Sequence, residues 1–436
     1  MLFLKILVRW IAMLTCLFGF AACQESLVPE PELSDQNIQD LTEQIKWLDS
    51  SVTCERLDVL VRRVGNVEAI PEFYRRKLWA QQAVCSVTPG TDINTSAYEM
   101  TKAAGIWADL SEDVVTLYAK STTASEPQLC CAIQKAVWGP IGDIEDKIWK
   151  ARLRLKEADR ASLMFMDTSG TNPDFSPLII QGENADIVDV PFLSDPAIKL
   201  SGTFEQRQIS SSELGETRTV SIYTAKGKYD PNAPVIILAD GISLGYYARM
   251  IDPMIEQGLI KPVNFMGIHS ERDSISEALR DLPKDPRASD YLPGYDKDFP
   301  DRFDNHMEFI FETALPTLFP SSENSRRLAV GGHSNGAVFS VHAGVRNPNL
   351  VDAVLSVSGG FGGLKAAQEC SEDGANFYIS AGVYEPSFLA STEVTEQTLK
   401  AQGCNTRATY HPVGHDPGFF RTELYRFLLA EFGNDL

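Results

Sequence analysis

The chain has 436 residues, 44% of them hydrophobic, with 39 Lys and Arg against 59 Asp and Glu and a formal net charge of −20. That apolar content excludes a disordered chain, and the length exceeds one ordinary domain, so two are expected. An acidic chain with no basic cluster also excludes nucleic acid as a partner, because such binding depends on neutralising phosphates.

The first predicted element is an export signal over residues 1–22. "MLFLKILVRWIAMLTCLFGFAACQES" has Lys5 and Arg9 in a short basic start, an apolar run from Ile11 to Phe20, and Ala21-Ala22 ahead of Cys23. That run is too short to span a bilayer comfortably. Small residues directly before a cysteine, with a polar stretch after it, resemble a bacterial lipobox. The resemblance implies lipidation of Cys23 and a membrane anchor, and Gln24 resembles outer-membrane sorting, on the periplasmic face. The alternative is a secreted protein cut near Ala22, with Cys23 an ordinary residue. Beyond it lie Cys54, Cys85, Cys130, Cys131, Cys370 and Cys404. An even number in an exported chain points to disulfides, and proximity along the chain favours Cys54–Cys85 and Cys370–Cys404. The adjacent Cys130 and Cys131 have no histidines near them in sequence, so they read as structural and no metal site is expected.

Residues 23–166 are predicted to form an all-helical domain of five or six helices. In "SDQNIQDLTEQIKWLDS", Ile38, Leu41, Ile45 and Leu48 recur at three- and four-residue spacing behind a capping Ser34 or Asp35. "PEFYRRKLWAQQAVC" and "IGDIEDKIWKARLRLKEADRASLMF" are assigned to helices in the same way, and Trp47, Trp79 and Trp107 to the core. Residues 167–201, rich in Pro, Gly, Asp and Ser, are expected as linker or outer decoration.

From residue 202 the period changes. "TFEQRQISS" and "TRTVSIYTA" alternate as strands around a turn at Leu214-Gly215. Apolar runs follow at "PVIILADG", "VNFMGIH", "RRLAVGG", "VDAVLSVSG" and "NFYISAGVY", as expected of strands buried on both faces. Helical stretches separate them, and "GFFRTELYRFLLAEF" closes the chain. The predicted class for 202–436 is an α/β fold with a mostly parallel central sheet and flanking helices.

Within it, "LAVGGHSNGAVFSVHAGV" carries GxSxG at Gly332-His333-Ser334-Asn335-Gly336. Such a pattern arises by chance in a chain of this length roughly 0.1–0.2 times, so its setting matters. Here a buried-strand pattern precedes the serine and a helical one follows, the strand–elbow–helix context that exposes a nucleophile in a strained turn. In that architecture the order is serine, acid, histidine. His415 opens the loop "GHDPGFF" after the last strand and is the candidate base, with His411 second and His342 assigned to packing or surface. Glu385 ends the preceding strand, with Pro386 forcing a turn, and is the candidate acid. Asp352 and Asp373 lie at the wrong edge of the sheet, and Asp416 adjoins the histidine too closely. The candidate oxyanion donors are the backbone N–H groups of Asn335 and of Ile242, which follows Asp240-Gly241.

Together "VIILADG", "RASDYLPG", "GGHSNGA", "VDAVLSVSGG", "ISAGVYEP" and "PVGHDPGFFRTEL" resemble an esterase family of the α/β hydrolases. It includes enterochelin esterases, feruloyl and acetyl-xylan esterases, S-formylglutathione hydrolase and mycobacterial mycolyltransferases. The resemblance covers about residues 200–436 and is most specific at the carboxyl end, where it is similar to the enterochelin-esterase branch. It implies an α/β-hydrolase fold, a Ser334–His415–Glu385 triad and a carboxylic ester of siderophore, feruloyl or acetyl type, small or carbohydrate-linked, as substrate. No metal or organic cofactor is implied. Ala337 replaces a glycine common in relatives, and the helical first domain is not the β-sandwich of the cytoplasmic enterochelin esterases. Arg272, Arg280 and Arg287 are expected as solvated surface residues, the alternative being an anion site. A peptidase or acyltransferase would use the same triad. The alternative from another class is a non-catalytic surface scaffold with a vestigial hydrolase fold.

Overall fold

The structure is a computed structural model that describes residues 35–64, 68–121, 126–130, 133, 135–166, 178–187, 199–226, 232–270, 286–320, 327–360, 370 and 374–434. The expected signal, Cys23, Cys131, Arg272, Arg280 and Asp373 lie outside the described residues, as does the side chain of Cys130.

The segment ending at Lys46 is a unit of its own. Its described part is one helix, α1 (Asp35–Lys46), with Ile38, Leu41 and Ile45 at the expected spacing. In the second unit the chain continues with α2 (Cys54–Val64), α3 (Glu72–Gln81), the strand β1 (Val84–Val87) and α4 (Thr95–Ala104). Asn94 caps α4 by accepting from the Ala97 N–H at 3.1 Å, and Gly105 ends it in the left-handed region at φ 85°. A Cys54–Cys85 disulfide ties α2 to β1, the pairing that proximity favours.

Helices do not continue to residue 166, which corrects the expectation of an all-helical domain. Residues 106–166 form β2 (Ile106–Asp109), β3 (Val114–Lys120), β4 (Gln128–Cys130), β5 (Trp138–Ile141), β6 (Ile148–Leu155) and β7 (Ser162–Met166). Antiparallel pairing gives a five-stranded sheet, β1-β6-β3-β2 with β5 also on β6. In "IWKARLRL" Ile148, Ala151, Leu153 and Leu155 are buried, close to a period of two. The intervening Arg and Lys have helix-forming preference, but the half-buried sheet face decides. Lys150 is drawn into the interior because its Nζ donates to the Asp92 carbonyl at 2.7 Å. Inside the stretch expected as linker, β8 (Leu178–Gln181) pairs with β7, which also pairs with β4. Trp47 and Trp79 are exposed rather than in the core, and Trp107 packs edge-on against Tyr118.

Residues 203–434 follow the expected order. β9 (Thr203–Ser211) and β10 (Glu216–Thr224) form a hairpin whose turn places Gly215 at φ 68°. Then come β11 (Val235–Leu238), α5 (Leu244–Glu256), β12 (Asn264–Ile268) and short helices within 286–318. β13 (Leu328–His333), α6 (Asn335–Arg346), β14 (Ala353–Val357), β15 (Asn376–Gly382), α7 (Pro386–Ala401), β16 (Thr406–His411) and α8 (Pro417–Phe432) complete it. The eight-stranded sheet runs β16-β15-β14-β13-β11-β12-β10-β9, parallel from β12 to β16. β10 pairs antiparallel with β12 and with β9. A Cys370–Cys404 disulfide, also as proximity favours, lies at the β16 edge. The sheet is wound outward from β11 and β13, whose connections leave in opposite directions. Such a switch point opens a crevice at the carboxyl ends of the strands.

Candidate active site

Ser334 sits in that crevice, between the end of β13 and the start of α6. Its φ is 60° and ψ −122°, a conformation an L-residue adopts only under constraint. Two glycines supply the constraint. A Cβ on Gly332 would lie 2.2 Å from the Gly336 carbonyl oxygen, and one on Gly336 would lie 2.6 Å from the Ala239 Cβ. Strand and helix therefore close on each other, and the turn after β13 packs against the turn after β11. The Ser334 N–H is spent on the Val357 carbonyl at 3.0 Å.

Glu385 follows β15 and is fully buried. One carboxylate oxygen accepts from the Gly382 N–H and the Ser358 hydroxyl, each at 2.5 Å, and the other lies 2.6 Å from His415 Nδ1. The acid thus fixes one imidazole nitrogen and leaves Nε2 to face other chemistry. The His415 ring is clamped between Phe388 and His333, with centroids 4.0 and 4.4 Å away and interplanar angles of 19° and 27°. Burial first, and then the neighbouring His415 and Arg287, hold His333 well below the ordinary imidazole pKa, so that ring is neutral. Ser334 Oγ makes no hydrogen bond among the described residues.

The turn after β11 places Asp240 in the left-handed region at φ 57°. A Cβ on Gly241 would meet the Gly267 backbone at 2.2 Å. Ile242 follows, and its N–H donates to no backbone carbonyl among the described residues; nor does that of Asn335, the first residue of α6. Helix starts leave such donors unsatisfied and carry partial positive charge, so both suit a developing anion. Arg287 holds this turn. Its guanidinium binds both oxygens of Asp240, at 2.5 and 2.7 Å, and also reaches the His333 carbonyl at 3.2 Å. Arg287 is therefore not a solvated surface residue: it clamps the β11 turn to the elbow.

The other histidines and acids are occupied elsewhere. His411 Nδ1 faces Asp186 at 3.0 Å, and His342 is buried against Phe303. Asp352 accepts from the Leu328 N–H at the opposite edge of the sheet. Asp416 caps α8 through the Phe419 N–H at 2.8 Å, and burial pushes its carboxyl up to about 6. A cavity of about 740 Å³ is lined by Trp79, Arg76, Arg160, Leu389 and Tyr410 among others, and by none of Ser334, Glu385 and His415. Its two arginines are paired with Glu72, Glu393, Glu157 and Asp186. Sequence reasoning missed Ser358, His333, Phe388 and Arg287. Only Ser358 carried a local signal, as the residue ending the strand beside the elbow.

Residues 211–433, just over half of the chain, match the family model described as "Putative esterase". The chain belongs to this esterase family and is a carboxylic ester hydrolase with an α/β-hydrolase fold. Curated proteins give no match. Among solved structures it resembles the enterobactin esterase of Shigella flexneri in the presence of enterobactin, with a TM-score of 0.54 and 16% identity over 75% of this chain and 95% of that one. The ferric enterobactin esterase of Salmonella typhimurium is similar to the same degree, with a TM-score of 0.54 and 16% identity over 77% of this chain and 98% of that one. Both likenesses extend well beyond the family match.

Proposed function

We propose that Ser334 is the nucleophile of this hydrolase, His415 its general base and acid, and Glu385 the group that orients and balances the imidazole. The observation that carries the reading is the 2.6 Å contact of the buried Glu385 with His415, in the same crevice as a serine held at positive φ. Ser334 Oγ attacks the ester carbonyl while His415 Nε2 takes its proton. The Ile242 and Asn335 amides receive the tetrahedral oxyanion, and His415 returns the proton to the leaving alcohol. Water then opens the acyl-enzyme by the same route.

A substrate of low charge fits best. Arg287 is already neutralised by Asp240, and the chain carries a net charge of −20, so a feruloyl- or acetyl-type ester suits the site better than a multiply charged catecholate. The lipobox-like start supports export and anchoring through Cys23, which incorporation of a labelled fatty acid into wild type but not into Cys23→Ala would establish.

Hydrolysis of p-nitrophenyl acetate and reaction with a fluorophosphonate probe test the triad. Ser334→Ala is expected to lower turnover on the order of 10⁶-fold and to abolish labelling, with an unchanged melting temperature. Turnover or labelling that survives the substitution rejects Ser334 as the nucleophile.

A further inference from the structure

The residue ahead of Glu385 is built into the other half of the molecule. Tyr384 is fully buried in the same apolar cluster as Val84, Leu117, Leu155 and Leu163 of the amino-terminal sheet region. Its hydroxyl donates to the Lys156 carbonyl at 2.7 Å, just past the end of β6. Burial raises its pKa, so it stays a neutral donor. Adjacent residues thus point two ways: Tyr384 into one core, Glu385 into the crevice of the other.

The base loop is fastened to the same region. The Tyr384 N–H donates to the Val413 carbonyl at 3.1 Å, two residues before His415. The Ser162 N–H, at the start of β7, donates to the Pro412 carbonyl at 3.3 Å, forming a bridge between Ser162 and Val413. Acid and base loops are also pressed together, since a Cβ on Gly382 would lie 2.3 Å from the Val413 oxygen. Segments 382–385 and 411–413 therefore form one bonded body, anchored to the amino-terminal region by Tyr384 and Ser162.

We propose that Tyr384 is a positioning residue for ester hydrolysis, through which the amino-terminal sheet region holds Glu385 against His415. The proposal rests on the triad reading above. It gives that region a part in the active site although it contributes no group that touches the reacting atoms. The expected size follows from geometry, since a displacement of about 1 Å at a catalytic contact can cost on the order of 10²-fold in rate.

A double-mutant cycle on p-nitrophenyl acetate with the full chain tests it. Tyr384→Ala is expected to lower kcat by about 10- to 100-fold with KM unchanged, and to change kcat less than about 2-fold when Glu385 is already alanine. A purely structural tyrosine would act equally on both backgrounds, so additive effects, or a wild-type kcat in Tyr384→Ala, overturn the proposal. Should Tyr384→Ala not fold, Tyr384→Phe decides, because it keeps the ring in the cluster and removes only the bond to Lys156. A loss of about 3- to 10-fold in kcat that vanishes in the Glu385→Ala background supports the proposal; a wild-type kcat overturns it. Ser334→Ala separates the two readings. If it is inactive while Tyr384→Phe is unimpaired, only the positioning role falls; if it is active, the triad itself falls.

Discussion

Backbone strain is distributed very differently in the two halves of the second unit. Among the described residues of the carboxyl-terminal half, three non-glycine residues with positive φ, Asp240, Ser334 and Ser358, stand at the carboxyl ends of β11, β13 and β14. Each belongs to the candidate site: one turns the loop that carries the Ile242 amide, one is the candidate nucleophile, and one donates to Glu385. Among the described residues of the amino-terminal region the two such residues, Lys147 and Glu157, flank a single strand, β6, and turn the chain. Each such residue costs on the order of 1–3 kcal/mol. Strain therefore marks function here only where it coincides with a crevice and with side chains that converge on it.

Histidine sharpens the contrast, because all six histidines lie between residues 269 and 415. The amino-terminal half should therefore add no histidine-linked pH dependence. His306 is fully buried among Tyr291 and Phe339, and burial, opposed by Asp290 and assisted by Arg218 and Arg302, lowers its pKa to about 4. The unfolded chain then takes up the proton first, near the ordinary 6.5, and the folded chain only near 4. Stability is full above pH 6.5 and is lost as pH falls toward 4, by about 3 kcal/mol from this residue. His306→Phe should flatten that part of the profile, with His333 leaving a residual loss of the same sign. Denaturant unfolding between pH 4 and 7 measures it, and an unchanged slope would reject the assignment.

A smaller effect is expected at the candidate oxyanion turn. Asp240→Asn leaves the half-buried Arg287 without its two charged acceptors and loosens the loop that carries the Ile242 amide. The loss should be about 10- to 100-fold in kcat and about 1–3 kcal/mol in stability. A stability loss with no change in kcat would reduce Arg287 to a structural clamp.

These contrasts also explain what could be read from the residues in order. Strands β11 to β15 are largely buried on both faces, so they appear as unbroken apolar runs, and the elbow, the candidate acid and the candidate base each occupy a short phrase at a strand end. The fold of residues 202–436 and the grouping of Glu385 with His415 were legible for that reason. The amino-terminal strands, β1 included, were not, because half-buried antiparallel strands such as "IWKARLRL" place Lys and Arg where a helix would also place them. Ser358, Arg287 and Tyr384 were missed for a different reason. Their partners lie 27, 47 and 228 residues away, and although Ser358 ends the strand beside the elbow, no local pattern encodes a contact made only by the fold.

A matched pair of glycine substitutions puts the opening contrast to its finest test. Ser358 and Lys147 both have positive φ, 55° and 51°, so glycine relieves a backbone cost at each, up to about 1 kcal/mol. Lys147→Gly should therefore raise stability slightly and leave kcat alone. Ser358→Gly also gains such relief but deletes the hydroxyl that donates to Glu385, leaving a buried carboxylate one donor short. That loss is worth about 1–3 kcal/mol, which cancels the backbone gain, and kcat should fall by about 10-fold as the acid loosens. Equal responses of the two variants in kcat would show that strain at the sheet edge is no more functional than strain at a turn. A fall confined to Ser358→Gly would show that the contact, and not the φ angle, connects backbone strain to catalysis.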